Sequence, residues 1–190
     1  IGIAVGDVAG HGISSALIMA LSAVILRKLG KRFRSPRITL EKANNDILKY
    51  IKQSKISYVT MFYAIINLKS NQLTYSKAGH QPGILIREDN SLIELKTEGI
   101  FLGMYDDEKF EEKKVDLMSK DRVILYTDGI VESQNRSGEM YGNTRFHKIL
   151  LKTKDIPCKK AQTAIFEDIE KFTKGQTIRD DRTLLMMDIE

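Results

Sequence analysis

Ile1-Gly-Ile-Ala-Val-Gly-Asp7-Val-Ala-Gly10-His11-Gly12 opens the chain, and the reading of this stretch decides the rest. An apolar run, Ile1 to Val5, ends in a Gly-rich turn that carries one carboxylate, and a long apolar segment follows. Such a run reads as a buried strand, and glycines let the backbone turn sharply and approach a ligand. A carboxylate at the end of a buried strand is costly unless something pairs with it, and a divalent cation is the usual partner. Two later stretches repeat the design. Val123-Ile-Leu-Tyr-Thr-Asp128-Gly129 is an apolar strand followed by Asp-Gly; Thr177-Ile-Arg-Asp180-Asp181-Arg-Thr183-Leu-Leu-Met-Met is Asp-Asp followed by a strand. Strand-end acids far apart in sequence can converge in a fold, which makes Asp7, Asp128 and Asp180 the first candidates for a metal site.

The 190 residues are enough for one sizeable domain. Hydrophobic residues make up 42% and charged residues 29%, the balance of a globular chain rather than a disordered one. A net charge of +5 is modest and on its own is poor evidence for nucleic-acid binding. A single cysteine, Cys158, excludes an internal disulfide and agrees with a reducing, cytoplasmic compartment. The longest apolar run, Ala16 to Leu26, falls short of the ~20 residues of a membrane span, so no membrane contact is expected. The first residue is not Met and already lies inside a strand pattern, which reads as a chain whose N-terminal part has been removed.

After the opening turn, Ser14 or Ser15 can cap a helix running to about Leu29. Its apolar residues (Ala16, Leu17, Ile18, Leu21, Val24, Ile25) cover most of the circumference, so a helix buried all round is expected, with Gly30 as its stop. Arg27, Lys28, Lys31, Arg32, Arg34 and Arg37 then put six positive charges into eleven residues. Pro36 and Thr39 restart a second helix to about Gln53, with Leu40, Ala43, Ile47 and Ile51 on one face. Tyr58 to Leu68 alternates, Ser70-Asn71 turns, and Leu73 to Ala78 returns as a hairpin. Short strands follow at Ile84 to Arg87, Leu92 to Leu95, Lys109 to Leu117 and Arg122 to Tyr126. Helices return at Gly142 to Lys152 and Pro157 to Phe172, before a last strand, Thr183 to Ile189. Strands joined by tight turns, with helices grouped at the two ends, point to an α+β fold of antiparallel sheets packed face to face and covered by helices.

These stretches, taken in order, resemble the SpoIIE/RsbU-type branch of the metal-dependent (PPM) serine/threonine protein phosphatases. Gly6-Asp7-Val-Ala-Gly10-His11-Gly12 is similar to that branch's first visible motif, and Val59-Thr60-Met61-Phe62-Tyr63-Ala64 with Leu73 to Pro82 to its central hairpin. Leu102-Gly103 also fits. Leu125-Tyr126-Thr127-Asp128-Gly129-Ile-Val-Glu132-Ser, Gly138-Glu139-Met140-Tyr141-Gly142 and Asp180-Asp181-Arg182-Thr183 match its later motifs. The resemblance covers nearly all of residues 1–190 and implies a single catalytic domain with an αββα sandwich of two antiparallel sheets. It implies hydrolysis of phosphoserine or phosphothreonine on a regulatory partner protein, of the anti-sigma-factor antagonist type, by a metal-activated hydroxide. Two Mn²⁺ or Mg²⁺ ions would serve the intact domain. Asp7 would bridge both, the Val8 carbonyl would face the second, and Asp128 and Asp180 would complete the first site with Asp181 beside it. Hard divalent ions prefer such oxygens, and a pair ~3.5–4 Å apart suits in-line attack on phosphorus. The family's upstream Gly-Asp-rich motif and first strands would precede residue 1, as would a region through which a homodimer could form.

Each acid also has an ordinary explanation: Asp7 as a turn residue or cap, Asp128-Gly129 as a common turn, Asp180-Asp181 as a solvated loop. Their joint agreement with one family favours the metal reading. His11 reads as a loop histidine, His80 in its Gly-His-Gln-Pro turn as the bearer of a structural hydrogen bond, and His147 as filler. Cys158 near a helix start could have a lowered pKa, but no base partner is indicated. The basic cluster is ordinarily a solvated helix end, with a docking patch for an acidic partner as the less favoured alternative; no nucleic-acid motif accompanies it. A phosphatase-like binding module without turnover is the competing function, against which stands the presence of all three acids.

Overall fold

In chain order the elements are β1 (Gly2–Val8), α1 (Ile13–Arg32), α2 (Pro36–Ile51), β2 (Val59–Asn67), β3 (Gln72–Ala78), β4 (Gly83–Ile86), β5 (Leu92–Leu95), β6 (Lys113–Asp116), β7 (Arg122–Tyr126), α3 (Gly142–Lys152), α4 (Cys158–Thr173) and β8 (Leu184–Asp188). The computed structural model describes residues 1–52, 58–177 and 180–190. Gln53, the expected end of the second helix, and Ile178 and Arg179, ahead of the Asp-Asp pair, lie outside the described residues. The backbone groups into two compact units, Ile1–Pro82 with Leu95–Leu117, and Gly83–Glu94 with Met118–Glu190.

The first unit holds a four-stranded sheet in the order β1-β2-β3-β6, antiparallel at each pairing. Its β2–β3 hairpin turns where expected, with Asn71 at φ 48°, a left-handed conformation that Asn tolerates. Side chains alternate across a strand, so Val59, Met61 and Tyr63 of β2 point to one face. There they meet Ile18, Ile25 and Leu29 of α1 and Leu40, Ala43 and Ile47 of α2 in one apolar cluster. Each fully buried aliphatic side chain contributes roughly 1.5–3 kcal/mol relative to exposure. Ser35 caps α2, its Oγ accepting from the Ile38 amide at 3.2 Å, and Pro36 takes the first helical position.

α1 departs from expectation in three ways, the first being that neither Ser14 nor Ser15 caps it: it starts at Ile13 with Gly12 at the N-cap position and no side-chain cap. One side packs in the core, but Ile13 is 82% exposed and Leu17 and Val24 are 66% exposed each, so the helix is not buried all round. It also runs through Gly30 to Arg32 rather than stopping there. Gly30 is used for packing: a Cβ at that position would lie 2.6 Å from the Tyr63 hydroxyl oxygen. With its basic end included, α1 is long and apolar enough by length and composition to cross a membrane, a test that core helices also pass. The strand expected over 109–117 is confined to Lys113–Asp116.

The second unit holds the sheet β5-β4-β7-β8, with β4–β7 and β7–β8 antiparallel. Ile84, Ile86, Ile124 and Tyr126, again every second residue, pack with Phe146, Ile149 and Leu150 of α3 and Ile165 and Ile169 of α4. Arg122, 3% exposed, starts β7 and ties the unit together. Its guanidinium donates to both carboxylate oxygens of Asp188 (2.5 and 3.0 Å), to the Thr153 carbonyl (2.8 Å) and to the Ile156 carbonyl (2.7 Å). Burial, followed by the hydrogen bond to Asp188, pushes the Cys158 thiol up, opposite to the lowered pKa its place near a helix start suggested. The fold is α+β, with two antiparallel sheets and four helices among the described residues.

Candidate metal centre

β1 carries Asp7 to its last turn of strand, directly opposite Thr60 of β2. Gly10 and Gly12, at φ 91° and 90°, then bend the chain through a conformation that disfavours side chains and lead it into α1. The Asp7 carboxylate accepts from the Val8 amide at 2.9 Å through Oδ1. The Asp7 main chain is held from the neighbouring strand. Its amide donates to Thr60 Oγ1 at 3.2 Å, and its carbonyl lies 3.3 Å from the same hydroxyl. His80 Nδ1 is 2.8 Å from that oxygen. His80 therefore makes the hydrogen bond its turn suggested.

In the second unit, β7 ends at Tyr126 and the chain enters a tight turn of Thr127 to Ser133. Ile130 donates its amide to the Thr127 carbonyl, Glu132 to the Asp128 carbonyl at 2.8 Å, and Ser133 Oγ to the Gly129 carbonyl at 2.6 Å. The Asp180-Asp181 loop lies against this turn. Thr127 Oγ1 donates to the Asp181 carbonyl at 2.8 Å and accepts from the Thr183 amide at 2.9 Å; the Thr127 amide reaches the Thr183 carbonyl at 3.1 Å. Gly129 makes the approach close, since a Cβ there would sit 2.5 Å from the Asp181 carbonyl oxygen. Thus Asp128 and the Asp180-Asp181 pair, 52 residues apart in sequence, are carried by two loops stapled backbone to backbone.

A fourth carboxylate joins Asp128, Asp180 and Asp181. Burial, then the charges of Asp128 and Asp180, push the Glu132 carboxyl above its ordinary value. Glu132 and Asp180 line one cavity of ≈ 290 Å³ together with Gly129, Gln176 and Arg182. Glu132 was not among the residues singled out from sequence, although it stands one helical turn after Asp128, and i to i+4 spacing in such a turn was the available signal.

Of the residues expected at a metal, Asp128, Asp180 and Asp181 are brought together in the second unit, while Asp7 and Val8 belong to the first. Among the described residues no three His, Cys, Asp or Glu side chains form a ready cage. The donor chemistry nevertheless fits a hard divalent ion: the groups are carboxylate oxygens, and their mutual repulsion, felt at Glu132, is what a bound cation would relieve.

A family model described as stage II sporulation protein E (SpoIIE) matches residues 1–190. The phosphoserine phosphatase RsbU of Bacillus subtilis (strain 168) is 28% identical over 190 residues, covering 98% of this chain and 55% of RsbU. The chain spans about half the length of the curated relatives it matches. Among solved structures, the SiaA-PP2C domain of Pseudomonas aeruginosa superposes with a TM-score of 0.89 at 20% identity, over 100% of this chain and 76% of that one. The catalytic domain of the serine/threonine protein phosphatase PstP, solved in complex with 2 manganese ions, superposes at 0.68 with 15% identity, over 98% and 86% of the two chains.

Proposed function

The chain belongs to the SpoIIE family, and from that premise we propose that it is the catalytic domain of a metal-dependent phosphatase acting on phosphoserine or phosphothreonine in a regulatory protein. The observation that carries this reading is the staple between the Asp128-Gly129 turn and the Asp180-Asp181 loop. Stapling the two loops together holds like charges close, a repulsion felt at Glu132 that a bound cation would offset. Likeness to RsbU, named a phosphoserine phosphatase, supports the substrate class, and likeness to a PstP structure containing manganese supports the metal class.

In this reading Asp128, Asp180 and Asp181 would be the metal ligands of the second unit, and Asp7 and the Val8 carbonyl those of the first, for Mn²⁺ or Mg²⁺. Bound divalent ions supply Lewis acidity at the phosphoryl oxygens and offset the charge that develops there. The chain's own residues supply position. The Thr127 hydroxyl and the bare Cα of Gly129 fix the distance between the two acid loops, and Thr60 holds the Asp7 main chain. Glu132 adds negative charge beside Asp128 and Asp180 and so raises their joint affinity for a cation. The partner is a small phosphorylated regulator of the anti-sigma-factor antagonist type, and the setting is the cytoplasm.

Mn²⁺ titration of the 190-residue chain and its Asp128→Asn variant tests the assignment. The variant should keep the melting profile of the metal-free protein and bind Mn²⁺ far more weakly. Equal binding by both would remove Asp128 from the site.

A further inference from the structure

Thr60 Oγ1 has three neighbours at hydrogen-bond range: the Asp7 amide (3.2 Å), the Asp7 carbonyl (3.3 Å) and His80 Nδ1 (2.8 Å). A hydroxyl has one proton and two acceptor lone pairs. The amide can only donate and the carbonyl can only accept, so all three contacts are hydrogen bonds together only where the hydroxyl accepts from the Asp7 N–H and gives its single proton to the Asp7 C=O. That arrangement leaves one lone pair for His80 and requires Nδ1 to carry the proton. In this assignment all three contacts are hydrogen bonds, and the hydroxyl's capacity is full. His80 is 6% exposed, two residues after the end of β3 and next to Gly79, which bridges to Met61 of β2, so its ring is held by burial as well.

We propose that His80 and Thr60 form a relay that positions Asp7. His80 Nδ1–H fixes which way the Thr60 hydroxyl proton points, and that hydroxyl clamps both main-chain groups of Asp7. The carboxylate is thereby aimed by its own backbone, with its Oδ1 turned onto the Val8 amide. Neither Thr60 nor His80 touches a reacting atom; both act through Asp7. The clamp acts where β1 gives way to two glycines at positive φ, Gly10 and Gly12. A ligand-bearing carboxylate needs its supporting hydrogen bonds, and outer-shell partners of metal ligands typically matter 10–100-fold in affinity. The inference rests on the reading of Asp7 as a metal ligand.

The experiment compares Mn²⁺ affinity by titration calorimetry, the melting profile in metal-free buffer, and kcat and KM on a phosphoserine protein. The proteins are the 190-residue chain and its Thr60→Val, Thr60→Ser, His80→Leu and Asp7→Asn variants. Valine keeps the shape of threonine and removes only the hydroxyl, so the metal-free melting profile should hold. Mn²⁺ affinity should fall about 10–100-fold, and kcat should fall with KM unchanged. Thr60→Ser restores the hydroxyl and should restore both. His80→Leu should fall between Thr60→Val and the parent chain. Wild-type Mn²⁺ affinity in Thr60→Val, while Asp7→Asn loses it, overturns the relay and leaves the proposed metal site standing. Wild-type affinity in Asp7→Asn overturns the role of Asp7 and the relay with it. Should Thr60→Val melt early, the His80→Leu variant, whose change lies one residue further from Asp7, decides between these outcomes by the same titration.

Discussion

Adding a single methyl group at Gly129 should separate the two acid loops of the second unit without disturbing its core. Gly129 is not among the residues with positive φ, so alanine meets no backbone objection there. The obstacle is contact: the new Cβ would sit 2.5 Å from the Asp181 carbonyl oxygen and 3.0 Å from its carbon, where real Cβ contacts essentially never fall under 3.0 Å. Relief requires the Asp180-Asp181 backbone to retreat by at least about half an ångström, and overpacking of this kind costs roughly 1–3 kcal/mol. The retreat also stretches the Thr127 Oγ1 bond to the Asp181 carbonyl, now 2.8 Å, out of its best range. For a chain of this size the melting midpoint should fall by roughly 2–4 °C per kcal/mol. Binding is the sharper readout, because ligand positions matter to about 0.5 Å. Mn²⁺ affinity should drop about 10–100-fold, as for other losses of support around a metal ligand. Calorimetric titration of Gly129→Ala beside the parent chain measures this, with melting curves in metal-free buffer as the control. A variant that melts lower yet binds Mn²⁺ as the parent does would show that the spacing of these loops has nothing to do with metal binding.

Further expectations follow from the two cores. Arg122→Ala leaves the Asp188 carboxylate and two carbonyls without their shared donor and should destabilise the chain by about 3–5 kcal/mol, read by urea unfolding. At Asp188 burial pushes the carboxyl up, but the hydrogen bonds and charge of Arg122, with help from Cys158, hold it below its ordinary 3.8. A lowered carboxyl stabilises the fold above that value and loses its contribution as pH falls through the folded pKa. Acid melting should therefore steepen below about pH 4, and Asp188→Asn should flatten that part of the profile. On α1, Leu17→Lys should change stability by less than about 0.5 kcal/mol, whereas Leu40→Ala in α2 should cost about 2–5 kcal/mol. A large loss at Leu17 would mean that the outer face of α1 is covered in solution.

The elements easiest to read in the sequence were those governed by local rules. Period-two alternation located β2, the Ser70-Asn71 turn gave β3 as its return, a continuous apolar run marked β7, and the amphipathic face of α2 named Leu40, Ala43 and Ile47, all of which are core residues. α1 was harder because alanine, leucine and isoleucine surround it, so composition alone could not say which side the sheet would cover; Ile18 is buried and Leu17 is not. Gly30 has the same cause: its local signal is a helix stop, but its use is set by Tyr63, which is 33 residues away. The acids were legible because each ends a strand in a turn. Their supports were not, since the Thr127 hydroxyl finds its acceptor 54 residues downstream and Thr60 reaches Asp7 across 53. Glu132 stands in a motif the sequence shows, but its place at the site is electrostatic and depends on Asp180 as well as on Asp128.

The most direct test of the account is phosphate release from a phosphoserine-bearing regulatory protein, with and without Mn²⁺, by this chain and by Asp7→Asn. The account predicts release that requires Mn²⁺ and is lost in the variant. Release that persists in a chelator, or that Asp7→Asn retains in full, would contradict it.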